Sequence, residues 1–285
     1  MTIRQMQFSD LDFAAECTSL EGWKSETREV FEGFLAYDPN GCFIIEENSK
    51  RIGLGVATNY GELGFLGEII VIKEKRGQGH GSRLVKHTIQ YLHNRGVKNI
   101  LLDSVPTAVS LYERFGFQKI CRSLRFSGNV HNGSNSCVRN MEDGDLKTVT
   151  KIDREVFRGD RGFFIERRLH MYPRLCKVFE FRKEIVGFIM GRPGRDMFWL
   201  GPWVMINEDI DHPEDLLRSF AMEAGNSKII LGVLEMNKQA VMKIQTLGFI
   251  EHSNPPWRMM FGISKDSMET DWSSKIYAIG SPAKG

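Results

Sequence analysis

The sequence predicts a mixed α/β fold that occurs twice in tandem. Three observations predict it: the length of the chain, ordered matches between its two halves, and β-branched runs that alternate with amphipathic helical segments. At roughly 150 residues per domain, a chain of 285 residues favours two domains. Hydrophobic residues make up 41% of the sequence and charged residues 26%, as in ordinary globular proteins, so disorder and a disulfide-stapled fold are excluded.

Short matches recur in the same order at a nearly constant offset of about 134 residues. The matches are Ile3-Arg4-Gln5-Met6 with Val138-Arg139-Asn140-Met141, Ile52-Gly53 with Val186-Gly187, Leu66-Gly67 with Leu200-Gly201, and Phe115-Gly116-Phe117 with Leu247-Gly248-Phe249. Each match is weak alone, but ordered matches at one offset indicate a duplication. We therefore predict domains at 1–128 and 138–285, joined by a Gly-, Asn- and Ser-rich linker at 129–137.

The first half of copy one predicts two helices and then three strands. Ser9 or Asp10 caps a helix over 10–20, and apolar residues on one face predict a second helix over 26–36. An Asp-Pro-Asn-Gly turn follows that helix. Apolar and β-branched runs then predict the strands 42–46, 51–59 and 63–73.

The second half of copy one predicts alternating helices and strands. A helix over 82–95 carries an apolar stripe and stops at Gly96. A strand over 99–104, a short helix over 108–115 and a last strand over 118–127 follow. The resulting order, ααβββαβαβ, predicts a mixed sheet with helices on its faces.

A glycine-rich turn, Arg76-Gly-Gln-Gly-His-Gly-Ser82, joins the third strand to the long helix. Glycines let the main chain approach a ligand closely, and the N–H groups at a helix start attract an anion. The turn therefore predicts a phosphate or pyrophosphate site. It lacks the Gly-Lys-Ser/Thr ending of a triphosphate loop, and its Gly-x-Gly-x-Gly spacing differs from the dinucleotide pattern.

The full string, Val71-x4-Arg-Gly-x-Gly-x-Gly-x2-Leu84, resembles the coenzyme-A signature of the GNAT acetyltransferase superfamily. A second segment, Ala108-Val-Ser-Leu-Tyr-Glu-Arg-Phe-Gly-Phe117, is similar to the late helix and turn of the same superfamily. The resemblance covers residues 1–127 and implies acetyl-CoA as the cofactor. One departure is Val105, where many members carry Asn.

The resemblance implies a cofactor site on the third strand and the turn. It implies that the main chain of Ile70, Val71 and Ile72 pairs with the pantetheine amides. The residues implied to hold the pyrophosphate are Arg76, Gly77, Gln78, Gly79, His80, Gly81 and Ser82.

Three further residues are candidates for the chemistry and the acceptor. Tyr112 matches the tyrosine that protonates the departing thiolate in many members, although it could simply pack its helix. Glu68 is the candidate base, directly or through a water, and its alternative is an ordinary exposed strand carboxylate. Trp23 is a candidate wall of the acceptor site, with core packing as the alternative.

Copy two predicts a degenerate partner that keeps the fold and has lost the chemistry. Its counterpart of the glycine turn, 210–215, contains three acids and no glycine, so it would repel a pyrophosphate. The position that corresponds to Tyr112 is Ile244. We therefore predict one catalytic site, in copy one.

The composition limits the classes of binding partner that we expect. The chain has 38 basic and 36 acidic residues and a net charge of +2, which predicts no nucleic-acid or membrane footprint. Its 5 cysteines include no Cys-x-x-Cys pair, so we expect reduced thiols and no metal site. No leader or membrane span is recognisable, so we expect a cytoplasmic protein.

The sequence thus predicts an acetyl-CoA-dependent N-acetyltransferase that acts directly on a primary amine of a small molecule. One alternative is a protein acetyltransferase that modifies lysines or N-termini. The other alternative is a coenzyme-A-binding sensor or scaffold without turnover. The sequence predicts no particular oligomeric state.

Overall fold

The computed structural model describes residues 1–23, 25–207, 210, 212–225, 227–262, 274–281 and 283–285. Copy one consists of β1 (Thr2–Gln5), α1 (Leu11–Leu20), α2 (Arg28–Tyr37), β2 (Cys42–Glu47), β3 (Lys50–Asn59), β4 (Leu63–Val71), α3 (His80–His93), β5 (Asn99–Ser104), α4 (Val109–Glu113) and β6 (Gln118–Gly128). Copy two consists of β7 (Val138–Asn140), α5 (Leu146–Phe157), α6 (Gly162–Met171), β8 (Cys176–Phe181), β9 (Glu184–Pro193), β10 (Met197–Met205), α7 (Asp215–Ala224), β11 (Lys228–Leu234), α8 (Lys238–Thr246), β12 (Ile250–Glu251), β13 (Trp257–Phe261) and β14 (Ile276–Ala278).

The predicted fold class, a mixed α/β sheet built in tandem, is confirmed. Each of the nine elements predicted for copy one is present within a few residues of its predicted bounds. The structure adds β1, which pairs antiparallel with β2 and was not predicted. It also starts α3 at His80 rather than at Ser82, because the glycine turn runs directly into the first helical turn.

The duplication is visible in matching ion pairs at the start of each copy. In copy one, Arg4 on β1 contacts Asp10 at 2.6 Å, just before α1. In copy two, Arg139 on β7 contacts Asp145 at 2.7 Å, just before α5. The same charges thus tie the first strand to the first helix twice.

The two copies exchange strands within one continuous sheet. Among the described residues, 14 strands pair in the order β1-β2-β3-β4-β5-β13-β6-β11-β10-β9-β8-β7, with β12 on β6 and β14 on β10. Strand β13 of copy two lies between β5 and β6 of copy one. The far half of β6 in turn pairs with β11 of copy two. Each copy therefore completes the sheet of the other.

A buried ion cluster holds this junction together. Asp103 on β5 accepts hydrogen bonds from Arg258 on β13 at 2.5 Å, and from Arg125 and Ser123 on β6 at 2.9 and 2.7 Å. Burial alone would raise the pKa of the Asp103 carboxyl, but the two guanidinium groups outweigh burial and hold the pKa below its ordinary value. The carboxylate thus stays charged at the centre of the exchange.

Helices cover both faces of the copy-one sheet. Helices α1 and α2 pack with β2–β4 around Phe31 and Phe34, while α3 and α4 pack on the opposite face around Val85 and Leu102. None of the helices in the described part of the chain is both long and apolar enough to cross a bilayer.

Candidate active site

A gap opens between β4 and β5 of copy one. The two strands run parallel and pair only from Leu63 with Asn99 to Leu66 with Leu102. Beyond Leu66, β4 stays paired with β3 on one side, and no strand among the described residues pairs with it on the other. Its main-chain N–H and C=O groups there can therefore bind an extended amide chain.

A β-bulge in β4 marks the closed end of this gap. Gly67 is opposite Val56 and Ile70 is opposite Leu54, so two residues of β4 oppose Gly55 of β3. Glu68 lies in the bulge with a φ of 55°, a left-handed conformation that is strained for any residue except glycine. Strain of about 1–3 kcal/mol persists only where the surroundings impose it, typically at functional sites.

The glycine turn lies at the open end of the gap and has the shape of an anion cradle. Gly77 and Gly79 have φ values of 75° and 81°, and a Cβ on either would meet nothing within 4 Å. Gly79 is the N-cap of α3 and no side chain caps the helix, so the first N–H groups of the helix are free for a ligand. The first intrahelical bond runs from the Arg83 N–H to the Gly79 carbonyl.

The main chain next to the turn alternates in direction. Ile72 donates its N–H to the Ile52 carbonyl of β3 at 2.9 Å, so the polar groups of Ile70 and Ile72 point toward β3 and those of Val71 point into the gap. Arg76 donates its Nε to the Val71 carbonyl at 2.8 Å and forms an ion pair with Glu21. The geometry thus favours Val71 as the residue that pairs with an extended ligand.

His80 and Tyr112 lie on either side of the turn. His80 is buried, with its ring toward Glu47 and away from the open face of the glycines. Leu111 on α4 packs 3.5 Å from the place that a Cβ on Gly81 would take, so α4 adjoins the start of α3. Tyr112, on the same helix, is buried with Leu66 and Leu102, where the two strands part. Burial raises the pKa of its hydroxyl, which therefore stays protonated and can donate.

Glu68 is buried, contrary to the exposed-strand alternative. It is 4% exposed, and neither carboxylate oxygen has a hydrogen-bond partner among the described residues. Burial, together with the nearby Glu26, raises its pKa well above the ordinary value. Groups with strongly shifted pKa values are typical of acid–base sites. Trp23, half-buried between α1 and α2, packs against the apolar residues on this face.

Copy two supplies residues to this site that sequence reasoning missed. Arg192 on β9 contacts the Glu26 carboxylate at 3.2 Å. Phe164 on α6 packs edge-on against Phe34 on α2, with ring centroids 6.0 Å apart. Lys284 places its Nζ 4.6 Å from the Phe34 ring centroid and 4.8 Å from that of Phe164. No motif singles out these residues, because their role follows from the packing of one copy on the other.

The equivalent gap in copy two is filled by the chain itself. Strands β10 and β11 also pair in parallel only from Met197 to Leu200. Beyond that point β14 pairs with β10, and the Ile279 N–H donates to the Gly232 carbonyl of β11. The acidic counterpart of the glycine turn was predicted at 210–215, and its Asp211 lies outside the described residues. A ligand chain that needs this gap would have to displace β14.

We expect Glu68→Gln to stabilise the chain and to slow its reaction. The substitution removes a buried carboxyl that has no partner and leaves the backbone unchanged, so the free energy of unfolding should rise by about 1–2 kcal/mol at neutral pH. Because the folded-state pKa is raised, the wild-type chain should lose stability relative to the variant as pH rises above the ordinary value of 4.5. Urea unfolding at several pH values measures the gain in stability and its pH dependence, and thiol release from acetyl-CoA measures the slower reaction.

The matched control is Glu62→Gln, at an exposed carboxylate just before β4. It should shift the free energy of unfolding by less than about 0.5 kcal/mol. A less stable Glu68→Gln chain would show that the carboxylate has favourable partners.

Comparisons with known proteins identify relatives of both copies. The model of the acetyltransferase (GNAT) family matches residues 8–117, and that of an acetyltransferase (GNAT) domain matches residues 149–278. The chain is 34% identical over 104 residues to N-alpha-acetyltransferase 30 of Dictyostelium discoideum, a match over 34% of this chain and 56% of that protein. It is 28% identical over 108 residues to the protein of the same name in Schizosaccharomyces pombe, over 35% of this chain and 72% of the relative.

Solved structures match both copies together. A Pyrococcus horikoshii protein that is provisionally named an acetyltransferase has a TM-score of 0.79 at 22% identity, over 100% of this chain and 95% of its own. A tandem GNAT protein from the clavulanic acid biosynthesis pathway has a TM-score of 0.62 at 12% identity, over 91% of this chain and 97% of its own. At these identities the likeness shows a shared fold.

Proposed function

We propose that this chain, which belongs to the GNAT acetyltransferase family and carries two of its domains in tandem, acetylates a primary amine of a small molecule at one site, in copy one. It is an acetyl-CoA-dependent acyltransferase. The observation that carries the proposal is the unpaired stretch of β4, with a glycine cradle at one end and the buried Glu68 at the other.

The residues present fit coenzyme A. The gap beside Val71 offers main-chain groups to the pantetheine amides, and the open glycines and the free N–H groups of α3 suit a pyrophosphate. When bound, acetyl-CoA supplies an activated acyl group. Copy two lacks this fit, because β14 occupies its gap.

Two side chains would move protons. An attacking amine must be neutral, and its ordinary pKa near 10 means that a base must take a proton from it at neutral pH. Glu68, whose raised pKa favours the protonated acid, is suited to accept that proton. Tyr112 lies on the other side of the sheet, where β4 and β5 part, and its raised pKa keeps its hydroxyl protonated. It is therefore suited to donate a proton to the leaving thiolate.

The enclosure of the acceptor side supports a small amine. Helix α6 of copy two packs on α2, and Tyr172 donates its hydroxyl to Glu29 at 2.7 Å, which ties the two copies together over this face. A protein acceptor is the second candidate, because the relatives above are named as N-alpha-acetyltransferases. A screen that measures thiol release from acetyl-CoA decides between the two acceptor classes. One arm contains small amines, and the other contains peptides with free or blocked N-termini. Turnover only with free-N-terminus peptides would favour the second candidate.

We expect Tyr112→Phe to reduce kcat by about 100-fold or more while the affinity for coenzyme A is unchanged, because only the proton donor is lost. Tyr91→Phe is the control. Tyr91 lies near the C-terminal end of α3, away from the glycine turn, and donates its hydroxyl to the Asp38 carboxylate. Steady-state kinetics and calorimetric titration measure the two quantities. A wild-type chain that binds coenzyme A and turns over no amine would instead support the sensor alternative.

A further inference from the structure

A segment made of residues 279–281 and 283–285 enters the acceptor side of copy one. It passes β10 of copy two and then the bulge in β4 of copy one: a Cβ on Gly201 would collide with the Ile279 main-chain oxygen, and a Cβ on Gly67 with that of Ala283. Gly67 directly precedes Glu68, at the closed end of the gap. The segment therefore lies against the same stretch of β4 that carries the candidate base.

Hydrogen bonds from both copies fix the segment in place. Tyr60 of copy one donates its hydroxyl to the Lys284 main-chain oxygen at 3.1 Å. Arg161 of copy two donates to the main-chain oxygen of Gly285 at 2.6 Å, and Asp153 holds the same guanidinium at 2.6 Å. Specific hydrogen bonds from both copies thus hold the segment in position.

The side chain of Lys284 carries an unusual amine. It is 7% exposed, and its Nζ lies between the rings of Phe34 and Phe164. The opposite charges of Glu26 and Glu68 and the like charges of Arg168 and Arg192 act on it. Burial, reinforced by the guanidinium groups, lowers the pKa of Lys284 to about 7, so much of the amine is neutral near neutral pH.

We propose that Lys284 is a built-in acceptor, which the copy-one centre acetylates within the same molecule. The inference rests on the proposed function. It needs no further reactant: the Lys284 Nζ forms a bond to the acetyl carbon of acetyl-CoA and the carbon–sulfur bond breaks. One of the two protons of the neutral amine stays on the new amide nitrogen, and the other is balanced by the proton that the coenzyme A thiolate gains. The products are Nε-acetyllysine and free coenzyme A.

The ionisation of the neighbours supports this step. The raised pKa of Glu68 and the lowered pKa of Lys284 favour the neutral acid and the neutral amine over the ion pair. Glu68, one of the charges that act on Lys284, can thus accept the proton that leaves the Lys284 ammonium. An ordinary surface lysine such as Lys151, whose side chain is 76% exposed, lies outside this buried environment.

The test is peptide mass spectrometry of the purified full chain after incubation with isotope-labelled acetyl-CoA. We expect Lys284 to gain the labelled acetyl group at least about tenfold faster than Lys151, at a first-order rate that is unchanged on dilution. Gly79→Glu, which places a carboxylate in the cradle, should slow labelling of Lys284 at least about tenfold and leave Lys151 unchanged. Tyr112→Phe should slow it also, while Gly96→Glu, the same change at the other end of α3, should not.

Other outcomes overturn the inference in distinguishable ways. If the chain acetylates free amines and Lys284 stays unlabelled, the proposed function stands and the inference falls. If Gly79→Glu labels Lys284 as fast as wild type, the reaction is chemical acetylation of a nucleophilic lysine. A rate that falls on dilution would assign the reaction to a second molecule. No labelling and no turnover with any amine would remove the proposed function as well. Thermal unfolding of each variant confirms that it is folded.

Discussion

Replacing Gly79 with Glu should abolish coenzyme A binding while the chain remains folded. The φ of 81° strains any larger residue, and the new carboxylate would stand at the helix start where the pyrophosphate is expected. Two like charges about 4 Å apart near a protein surface cost about 4 kcal/mol, so we expect at least about a 100-fold loss of affinity. Calorimetric titration with coenzyme A measures it.

Gly96→Glu is a closely matched control for this variant. Gly96 follows α3 with a φ of 80°, and a Cβ there would also meet nothing within 4 Å. Both variants therefore carry the same backbone strain and the same added charge, at opposite ends of one helix. Equal losses of affinity in the two would assign the effect to strain or net charge and would contradict a pyrophosphate site at Gly79.

Replacing Asp103 with Asn should cost about 3–5 kcal/mol of the free energy of unfolding. The amide preserves the shape of the side chain but leaves the guanidinium groups of Arg125 and Arg258 buried without a counter-charge. Since the folded-state pKa of Asp103 is depressed, its contribution is present above the ordinary value of 3.8 and is lost as pH falls through the folded-state pKa. The difference between wild type and variant should therefore shrink below about pH 4.

Urea unfolding monitored by circular dichroism measures this loss, with Asp143→Asn as the control. Asp143 contacts His170 at 3.1 Å, but its side chain is 79% exposed, so its substitution should change stability by less than about 0.5 kcal/mol. If Asp103→Asn were as mild as the control, the cluster would not hold the exchanged strands together.

The sequence predicts those parts of the candidate site that lie on contiguous residues. The string from Val71 to Leu84 contains a strand, a glycine turn and a helix start, each with its own local signal. The start of α3 was misplaced at Ser82, because glycine is a poor helix former and the prediction began the helix after the last one. Strand β1 was missed, because four residues of mixed polarity give no clear period.

The parts that depend on the second copy could not be predicted. Nothing in the run Trp257–Phe261 indicates that β5 of the other copy is its neighbour. Asp103 lies in a predicted strand, and its partner Arg258 is far away in the sequence. The bulge at Glu68 follows from pairing with β3, and a glutamate does not signal a left-handed conformation. Long-range pairing, rather than local preference, decides these features.

The strand exchange also sets the order of events when the chain is made on a ribosome. Strand β5 pairs with β4 but cannot gain its second neighbour until β13 has emerged, about 150 residues later, which at 5–20 residues per second takes on the order of ten to thirty seconds. During that interval the nascent copy one presents an open edge of β5, and Asp103 lacks its Arg258 partner. Although copy one emerges first, it therefore completes its sheet only once copy two has been synthesised.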